Sequence, residues 1–308
     1  MFQEKNRETV QQFFVWLRAR GRSAATIESY DYGLRHFLRW LDDRRMRVED
    51  MTMSGVVEFS AMLENRGLRS GARASYITAM KSLFTWLRRE GRLSFDPSEI
   101  ETPIVIDGKR HESAEPEEIE AMVKALTATY PKDVRDRAII GMLSESGARL
   151  CELLSMTFSC LDIQRHSAWI KTYKRRNHFR EVYWKPADHL IQPWLAVRQD
   201  YLERRGITSA ALWIGMDTNN QGEPLKKGAV ERMFRVVRTR AGIKRKITPH
   251  SCRHGYGSEW ARRKGNPYGL RDTLGHASLN TTDIYTQLKN EDLRRMYLDV
   301  KDRDAMPA

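Results

Sequence analysis

Cysteine is scarce in this sequence: the chain of 308 residues contains three, and none belongs to a Cys-x-x-Cys pair. Cys151, Cys160 and Cys252 are odd in number and widely spaced, which excludes a disulfide framework. Such a set is typical of proteins kept in a reducing compartment. It also lacks the paired cysteine ligands of a structural zinc site. We therefore expect free thiols and no bound metal.

Long apolar runs are also missing. The longest plausible one, residues 138–143, is far shorter than the ~20 apolar residues that span a bilayer. The N-terminus is charged from Glu4 onward and has no apolar segment of the kind found in signal peptides. These absences exclude a membrane protein and a secreted one. We expect a cytoplasmic protein with no membrane partner.

Acidic residues are the third deficit. The chain has 53 Lys and Arg against 40 Asp and Glu, which gives a formal charge of +13. A surplus of this size favours a polyanionic partner, and nucleic acid comes first. Basic residues are densest from Lys226 to Lys246 and around the segment 171–185. Charge alone does not identify a DNA-binding protein, because many soluble proteins are basic.

Hydrophobic periodicity divides the chain into two domains. Apolar residues at helical spacing predict a four-helix bundle over residues 1–96, with no catalytic constellation. Residues 97–115, rich in proline, glycine and polar side chains, form the predicted linker. Residues 116–308 combine helices with a β-hairpin near 158–185, so the predicted fold is mainly α with a small sheet, an α+β second domain. The predicted helices are 7–20, one starting after Ser23, 53–65, one from Ser70 to Gly91, 116–129, 133–146, 187–205, 226–240, 250–264, 267–273, 279–288 and 291–300.

Five residues of the second domain suit metal-free cleavage of a DNA strand. Such chemistry needs a nucleophile, cations that neutralise the phosphate oxygens, and groups that move protons. Tyr285 suits the nucleophile. Arg149 and Arg253 suit a phosphate clamp, because guanidinium is always charged and binds phosphate in a bidentate way. His250 and His276 suit hydrogen bonding to the phosphate and proton transfer near neutral pH.

The spacing of these residues resembles the signature of the tyrosine recombinases, also called the phage integrase family. His250 and Arg253 form a His-x-x-Arg motif, His276 ends a Leu-Gly-His, and Tyr285 follows nine residues later. Upstream, Gly-Ala-Arg149-Leu-Cys-Glu-Leu resembles the first arginine motif of the family. The resemblance is to the compact, Xer-like type or to a simple recombinase of a mobile element. It implies that residues 1–96 are a SAM-like core-binding domain and that the two domains form a DNA clamp.

The resemblance also implies a lysine on the hairpin that protonates the leaving 5′-oxygen. Lys174 is the favoured candidate and Lys171 the alternative, because the usual Gly-Lys-Gly is absent here. His254 and Cys252 lie beside His250, but they lack further ligands and are interpreted as structural residues. The residues predicted to contact DNA directly are Arg175, Arg176, Lys244 and Arg245.

As a member of this family the protein would be a site-specific recombinase. The resemblance implies paired inverted half-sites of double-stranded DNA, a dimer per site, a tetramer per synapse and a Holliday junction intermediate. It implies no metal, nucleotide or other cofactor, leaves room for accessory proteins, and places the protein on nucleoid DNA. The chain starts directly with the bundle, so no arm-binding domain is expected.

A C-terminal helix from about residue 290 has an apolar stripe that suits docking onto a neighbouring protomer or capping of its own domain. Two other functions are alternatives. A type IB-like topoisomerase would share the chemistry. A catalytically silent DNA-binding regulator would keep the charge but lose the tyrosine, an arginine or a histidine, all of which are present here.

Overall fold

The computed structural model describes residues 2–104, 113–172, 179–263 and 265–275. These residues are mostly helical with one small antiparallel sheet, which confirms the predicted fold class. The chain divides into two compact units, Met1–Lys109 and Arg110–Ala308, and the division falls within the predicted linker range. In the described part of the chain no helix is long and apolar enough to cross a membrane.

Unit 1 holds the four predicted helices. The Ser23 side chain accepts a hydrogen bond from the Thr26 amide and so starts the second helix. The core is aromatic: the wholly buried ring of Phe37 lies edge-on to Phe59 and Phe84, with centroids 5.2 and 5.6 Å away. Burial of one such ring contributes roughly 1.5–3 kcal/mol. The helices are α1 (Phe2–Ala19), α2 (Ala24–Asp43), α3 (Met53–Asn65) and α4 (Ser70–Arg89).

Unit 2 differs from the prediction at two points. The helix predicted over 116–129 ends at Lys124, because the Thr127 amide donates instead to the Asp133 carboxylate in the next helix. A short helix after Arg149 was not predicted. The helices predicted at 279–288 and 291–300 lie outside the described residues. The helices are α5 (Pro116–Lys124), α6 (Pro131–Ser146), α7 (Leu150–Leu154), α8 (Asp188–Arg205), α9 (Lys227–Arg240), α10 (Pro249–Arg262) and α11 (Pro267–Leu274).

The predicted hairpin is present as part of a three-stranded antiparallel sheet in the order β1-β2-β3. The strands are β1 (Leu161–Asp162), β2 (Ser167–Lys171) and β3 (Phe179–Tyr183). Lys171 pairs with Phe179 at the turn end of the hairpin, and residues 173–178 of the tip lie outside the described residues. Ile170 and Val182 face the core, as period-2 alternation requires. Arg180 faces inward as well, on the same side as Val182.

Helix α6 is the centre of unit 2, and it packs against α8 and α10. Ile139, Ile140 and Leu143 are wholly buried on it. Because α8 and α10 pack against its buried residues, both ends of α6 are held in place. The C-terminal end of α6 leads directly into the first arginine motif.

Candidate active site

Arg149 is positioned by the turn that ends α6. Gly147 has a φ of +59°, in the left-handed region that favours glycine. A Cβ atom there would lie 2.7 Å from the Tyr256 ring and 2.8 Å from Leu274, so the position also lacks space for a side chain. The turn places Arg149 at the start of α7. Its side chain is 20% exposed, and Nη1 donates to Glu152 Oε1 over 2.8 Å.

Arg253 lies in α10 and is buried. Helix α10 starts at Thr248, whose side chain accepts from the Ser251 amide, and Pro249 occupies its first turn. The Arg253 guanidinium donates to the Gly147 carbonyl over 2.6 Å and to the Leu274 carbonyl over 2.8 Å. It therefore ties the end of α6 to the end of α11.

His250 is exposed at the N-terminal end of α10 and contacts the buried His254. The two Nε2 atoms are 2.8 Å apart, with the rings nearly perpendicular, so one nitrogen carries the proton and the other accepts it. His254 thus orients the His250 ring. Burial raises the pKa of the neighbouring Cys252 thiol to about 12, which keeps it protonated. Among the described residues, no group of three His, Cys, Asp or Glu side chains is close enough to hold a metal.

Glu152 is a wholly buried carboxylate shared by two arginines. Oε1 accepts from the Arg149 side chain, while Oε2 accepts from the Arg149 backbone amide over 2.9 Å and from Arg180 Nη2 over 2.8 Å. Burial by itself would raise the pKa of Glu152, but the charges and hydrogen bonds of the two arginines outweigh it and lower the pKa. Sequence reasoning missed Arg180. The sequence signal that could have identified Arg180 is its position in β3, two residues before Val182 and therefore on the same inward face of the strand.

The C-terminal end of α11 is held by three arginines. Successive carbonyls over residues 273–275 accept hydrogen bonds from Arg180, Arg253 and Arg149 in that order, the last at 3.4 Å. Positive side chains suit the negative end of a helix dipole. The arginines therefore fix the point at which the chain leads into His276. The predicted residues Lys174, Arg175, Arg176, His276 and Tyr285 lie outside the described residues.

Arg149, His250 and Arg253 line one cavity of about 870 Å³. Helix α9 supplies one wall, and its basic residues recur at positions 227, 235 and 238 along a single stripe. The sequence analysis predicted DNA contacts for Lys244 and Arg245 near the end of this basic run but assigned no role to the part in α9; the helical spacing was the usable signal. A site with this excess of positive charge favours a phosphate-bearing ligand. The charged or titratable lining residues are Arg149, Lys227, Glu231, Arg235, Arg238, Lys246, His250 and Arg253, with Cys151 beside them.

Three other residues predicted to act on or contact DNA lie in the described part of the chain. Lys171 is exposed at the end of β2, and Lys244 is exposed before α10. Arg245 instead donates to the Glu118 carboxylate and, over 2.7 Å, to the Ser113 carbonyl, so it ties α5 to the segment before α10.

A second cavity of about 640 Å³ lies between α5, α6 and α10. It contains none of the predicted catalytic residues, and its lining includes Glu120, Glu145 and Glu259, whereas Glu231 is the one acidic residue of the described chain that lines the basic cavity. We therefore take the basic cavity as the candidate active site.

Two family models match the chain. The model described as "Phage integrase family" matches residues 112–292, and "Phage integrase, N-terminal SAM-like domain" matches residues 10–91. Among curated relatives, tyrosine recombinase XerD of Listeria monocytogenes serotype 4b is 27% identical over 282 residues, covering 90% of this chain and 93% of the relative. Tyrosine recombinase XerC of Roseiflexus castenholzii is 26% identical, covering 88% and 86%.

Solved structures share the fold. The XerH site-specific recombinase bound to palindromic difH substrate superposes with a TM-score of 0.72 at 20% identity, covering 92% of this chain and 81% of the other. A lambda integrase dimer bound to a COC′ core site gives 0.67 at 15% identity, covering 91% and 94%. The first family model alone spans more than half of the chain. The chain belongs to the phage integrase family, and it is a tyrosine site-specific recombinase.

Proposed function

We propose that this chain cuts and rejoins double-stranded DNA at specific sites through a 3′-phosphotyrosyl link formed by Tyr285. One observation carries the proposal: Arg149 is distant in the sequence from His250 and Arg253, and all three line the same basic cavity. Two guanidiniums around one phosphate give bidentate hydrogen bonds and offset the charge on its non-bridging oxygens.

The chemical step needs no metal in this proposal. The Tyr285 oxygen attacks phosphorus and loses its proton, the new P–O bond forms, and the bond to the 5′-oxygen breaks. The leaving 5′-oxygen takes its proton from the hairpin lysine, Lys174 or alternatively Lys171. His250 and His276 hydrogen-bond the phosphate and accept or return protons. The phosphotyrosyl ester keeps the energy of the broken bond, so the reverse attack by a 5′-hydroxyl rejoins DNA without ATP.

The proposed assembly is a dimer on two inverted half-sites and a tetramer in synapsis, with exchange through a Holliday junction. Unit 1 would grip the duplex together with unit 2, and accessory proteins and a location on cytoplasmic nucleoid DNA belong to the same proposal. The solved complexes of XerH with difH and of the lambda integrase dimer with its core site support it by analogy. We infer direct DNA contacts for Arg175, Arg176, Lys244 and Arg245, and Arg245 also forms an ion pair with Glu118.

Covalent capture tests the proposal. The full chain is incubated with a library of nicked random duplexes, and DNA that stays attached to protein after denaturation is sequenced. The expected result is a defined cleavage site, with adduct formation insensitive to EDTA. Tyr285→Phe should abolish the adduct and keep salt-sensitive DNA binding. The matched control is Tyr268→Phe, an exposed tyrosine on α11 that should retain the adduct. An adduct formed by the Tyr285→Phe chain contradicts the assignment.

The same assay separates the two other functions. A topoisomerase of this chemistry relaxes supercoiled plasmids that carry no captured site, whereas a recombinase needs the site. A silent regulator binds DNA and gives no adduct. Deletion of residues 290–308 should weaken synapsis and coordinated cleavage more than binding to a single site; unchanged recombination would argue against docking of this segment onto a neighbour.

A further inference from the structure

We infer that Arg180 is a positioning residue for DNA cleavage: it balances the charge of Glu152 and so leaves Arg149 with a positive charge to offer the scissile phosphate. The inference rests on the proposed function and concerns a residue outside the motifs that identify the family. Arg180 does not line the basic cavity, so its effect on the phosphate passes through Glu152.

The charges of Glu152 and its two arginine partners do not cancel. Glu152 is wholly buried, and it pairs with Arg149 and with Arg180, each at 2.8 Å. Two cations and one anion leave a net charge of +1 beside the cavity. Without Arg180, the pair of Arg149 and Glu152 is neutral. Buried charges are weakly screened, so this difference of one unit acts strongly on a phosphate held nearby.

A second buried pair of unit 2 has a different charge balance. Arg135 and Asp136 pair at 2.7 Å, and the remaining hydrogen bond of Arg135 goes to the Ile214 carbonyl. That cluster is one cation to one anion, and neither residue lines the basic cavity. The two-to-one cluster, by contrast, occurs where the predicted phosphate clamp lies.

Arg180 also connects two elements of unit 2. It is on β3, near the turn end of the hairpin, and it donates to the Thr273 carbonyl at the end of α11. Its loss would therefore change packing as well as charge. The two effects are separable, because a lysine keeps the charge while a methionine keeps only an unbranched apolar stem.

The test uses the captured site and single-turnover cleavage by the full chain. Arg180→Met is expected to slow cleavage of the phosphate substrate about 100-fold, within the range seen when one stabilising donor is removed from a transition state. DNA affinity should change little. With a methylphosphonate at the scissile position, which carries one negative charge less, the variant should fall within severalfold of the wild-type chain. Arg180→Lys should restore cleavage of the phosphate substrate to within about tenfold of wild type.

A double variant tests the charge count directly. Adding Glu152→Gln to Arg180→Met removes the anion and returns the cluster to a net charge of +1. We expect the double variant to cleave the phosphate substrate faster than Arg180→Met alone, a non-additivity that independent structural defects would not produce.

The matched control is Arg198→Met. Arg198 is a buried arginine on α8 whose guanidinium donates to the carbonyls of Ser209 and Ala211, away from the cavity. The Arg198→Met variant should have a lower Tm and an unchanged ratio of phosphate to methylphosphonate cleavage. The inference is overturned if Arg180→Met leaves the ratio of phosphate to methylphosphonate cleavage unchanged or cleaves the phosphate substrate like wild type. It is also overturned if Arg180→Lys cleaves the phosphate substrate no faster than Arg180→Met. Should Arg180→Met not fold, Arg180→Gln, which also lacks the charge, takes its place in the same comparison. Failure of the wild-type chain to form any adduct would instead overturn the proposed function.

Discussion

Units 1 and 2 bury different kinds of side chain. Buried polar side chains in the described part of unit 1 are uncharged, namely Asn6 and Thr9, and its core consists of aromatic and aliphatic residues. Unit 2 buries full charges. Removal of an ion from water costs several kcal/mol, so a pair of buried charges contributes little net stability by itself. Burial of uncharged side chains therefore stabilises unit 1. In unit 2, part of the free energy gained by burying apolar residues offsets the cost of holding charged side chains in fixed positions. The buried arginines, carboxylates and histidine in the described part of unit 2 are Arg135, Asp136, Glu152, Arg180, Arg198, Arg253 and His254.

The carboxylates of unit 2 show how the number of partners decides protonation. Burial raises the pKa of Asp136, and its single partner Arg135 does not fully offset that effect. Burial acts in the same direction on Glu152, but Arg180 and Arg149 together lower its pKa. A second arginine therefore changes the sign of the shift. Only the cluster with two arginines lies at the basic cavity.

The largest expected effect comes from Arg253. Arg253→Ala should reduce the rate of covalent adduct formation at saturating DNA by about 1,000-fold, because it removes a phosphate donor and the link between Gly147 and Leu274. Arg253→Lys should recover little, since one ammonium does not reproduce a forked pair of bonds. The control in unit 1 is Phe59→Leu, which should lower Tm and keep the rate of the folded chain. A matching loss of rate in that control would break the distinction between the two units.

The next effect concerns the free energy of unfolding of unit 1. Phe37→Ala should lower it by about 3–5 kcal/mol, because the wholly buried ring leaves a cavity among Phe59 and Phe84. Urea unfolding followed by tryptophan fluorescence measures the change. Val57→Ala, at a 64% exposed position of α3, should change it by less than about 0.5 kcal/mol. Equal effects of the two substitutions would contradict an aromatic core.

Sequence reasoning worked best where one local signal decides the outcome. Helical periodicity and caps such as Ser23 gave all four helices of unit 1, and β-branched and aromatic residues gave the hairpin. Motif spacing also identified Arg149, His250 and Arg253, which the fold brings to one cavity.

The misses depend on contacts between distant residues. The end of α5 at Lys124 depends on a hydrogen bond that the Thr127 amide donates to the Asp133 carboxylate in the following helix. The role of Arg180 depends on a carboxylate from α7 and a carbonyl from α11. Arg245 was predicted from its charge to contact DNA, and that role stays a prediction; its ion pair with Glu118 is a tertiary contact that no local pattern announces.

A smaller effect is expected in the pH dependence of stability. The folded pKa of Glu152 is below its ordinary value of 4.5, so its contribution is complete above that value and lost as the pH falls through the folded pKa. Asp136 has a raised pKa, so its contribution is complete below its ordinary value of 3.8 and lost as the pH rises through the folded pKa. Glu152→Gln should therefore make unit 2 less sensitive to acid, and Asp136→Asn more sensitive. Urea unfolding between pH 3 and pH 7 measures both slopes; slopes of the same sign would contradict the role of the second arginine.

The smallest expected effect distinguishes the basic cavity from the core of unit 2 by thiol labelling. Cys151 is exposed and lines the cavity, whereas Cys252 is buried with a pKa raised to about 12, so maleimide should label Cys151 and spare Cys252 in the folded chain. Bound specific DNA should slow labelling of Cys151 and leave the half-buried Cys160, which does not line the cavity, unchanged. Cys151→Ser assigns the signal. Equal slowing at Cys151 and Cys160 would mean that DNA covers unit 2 broadly. Protection of neither thiol would mean that DNA binds away from the basic cavity and its arginines.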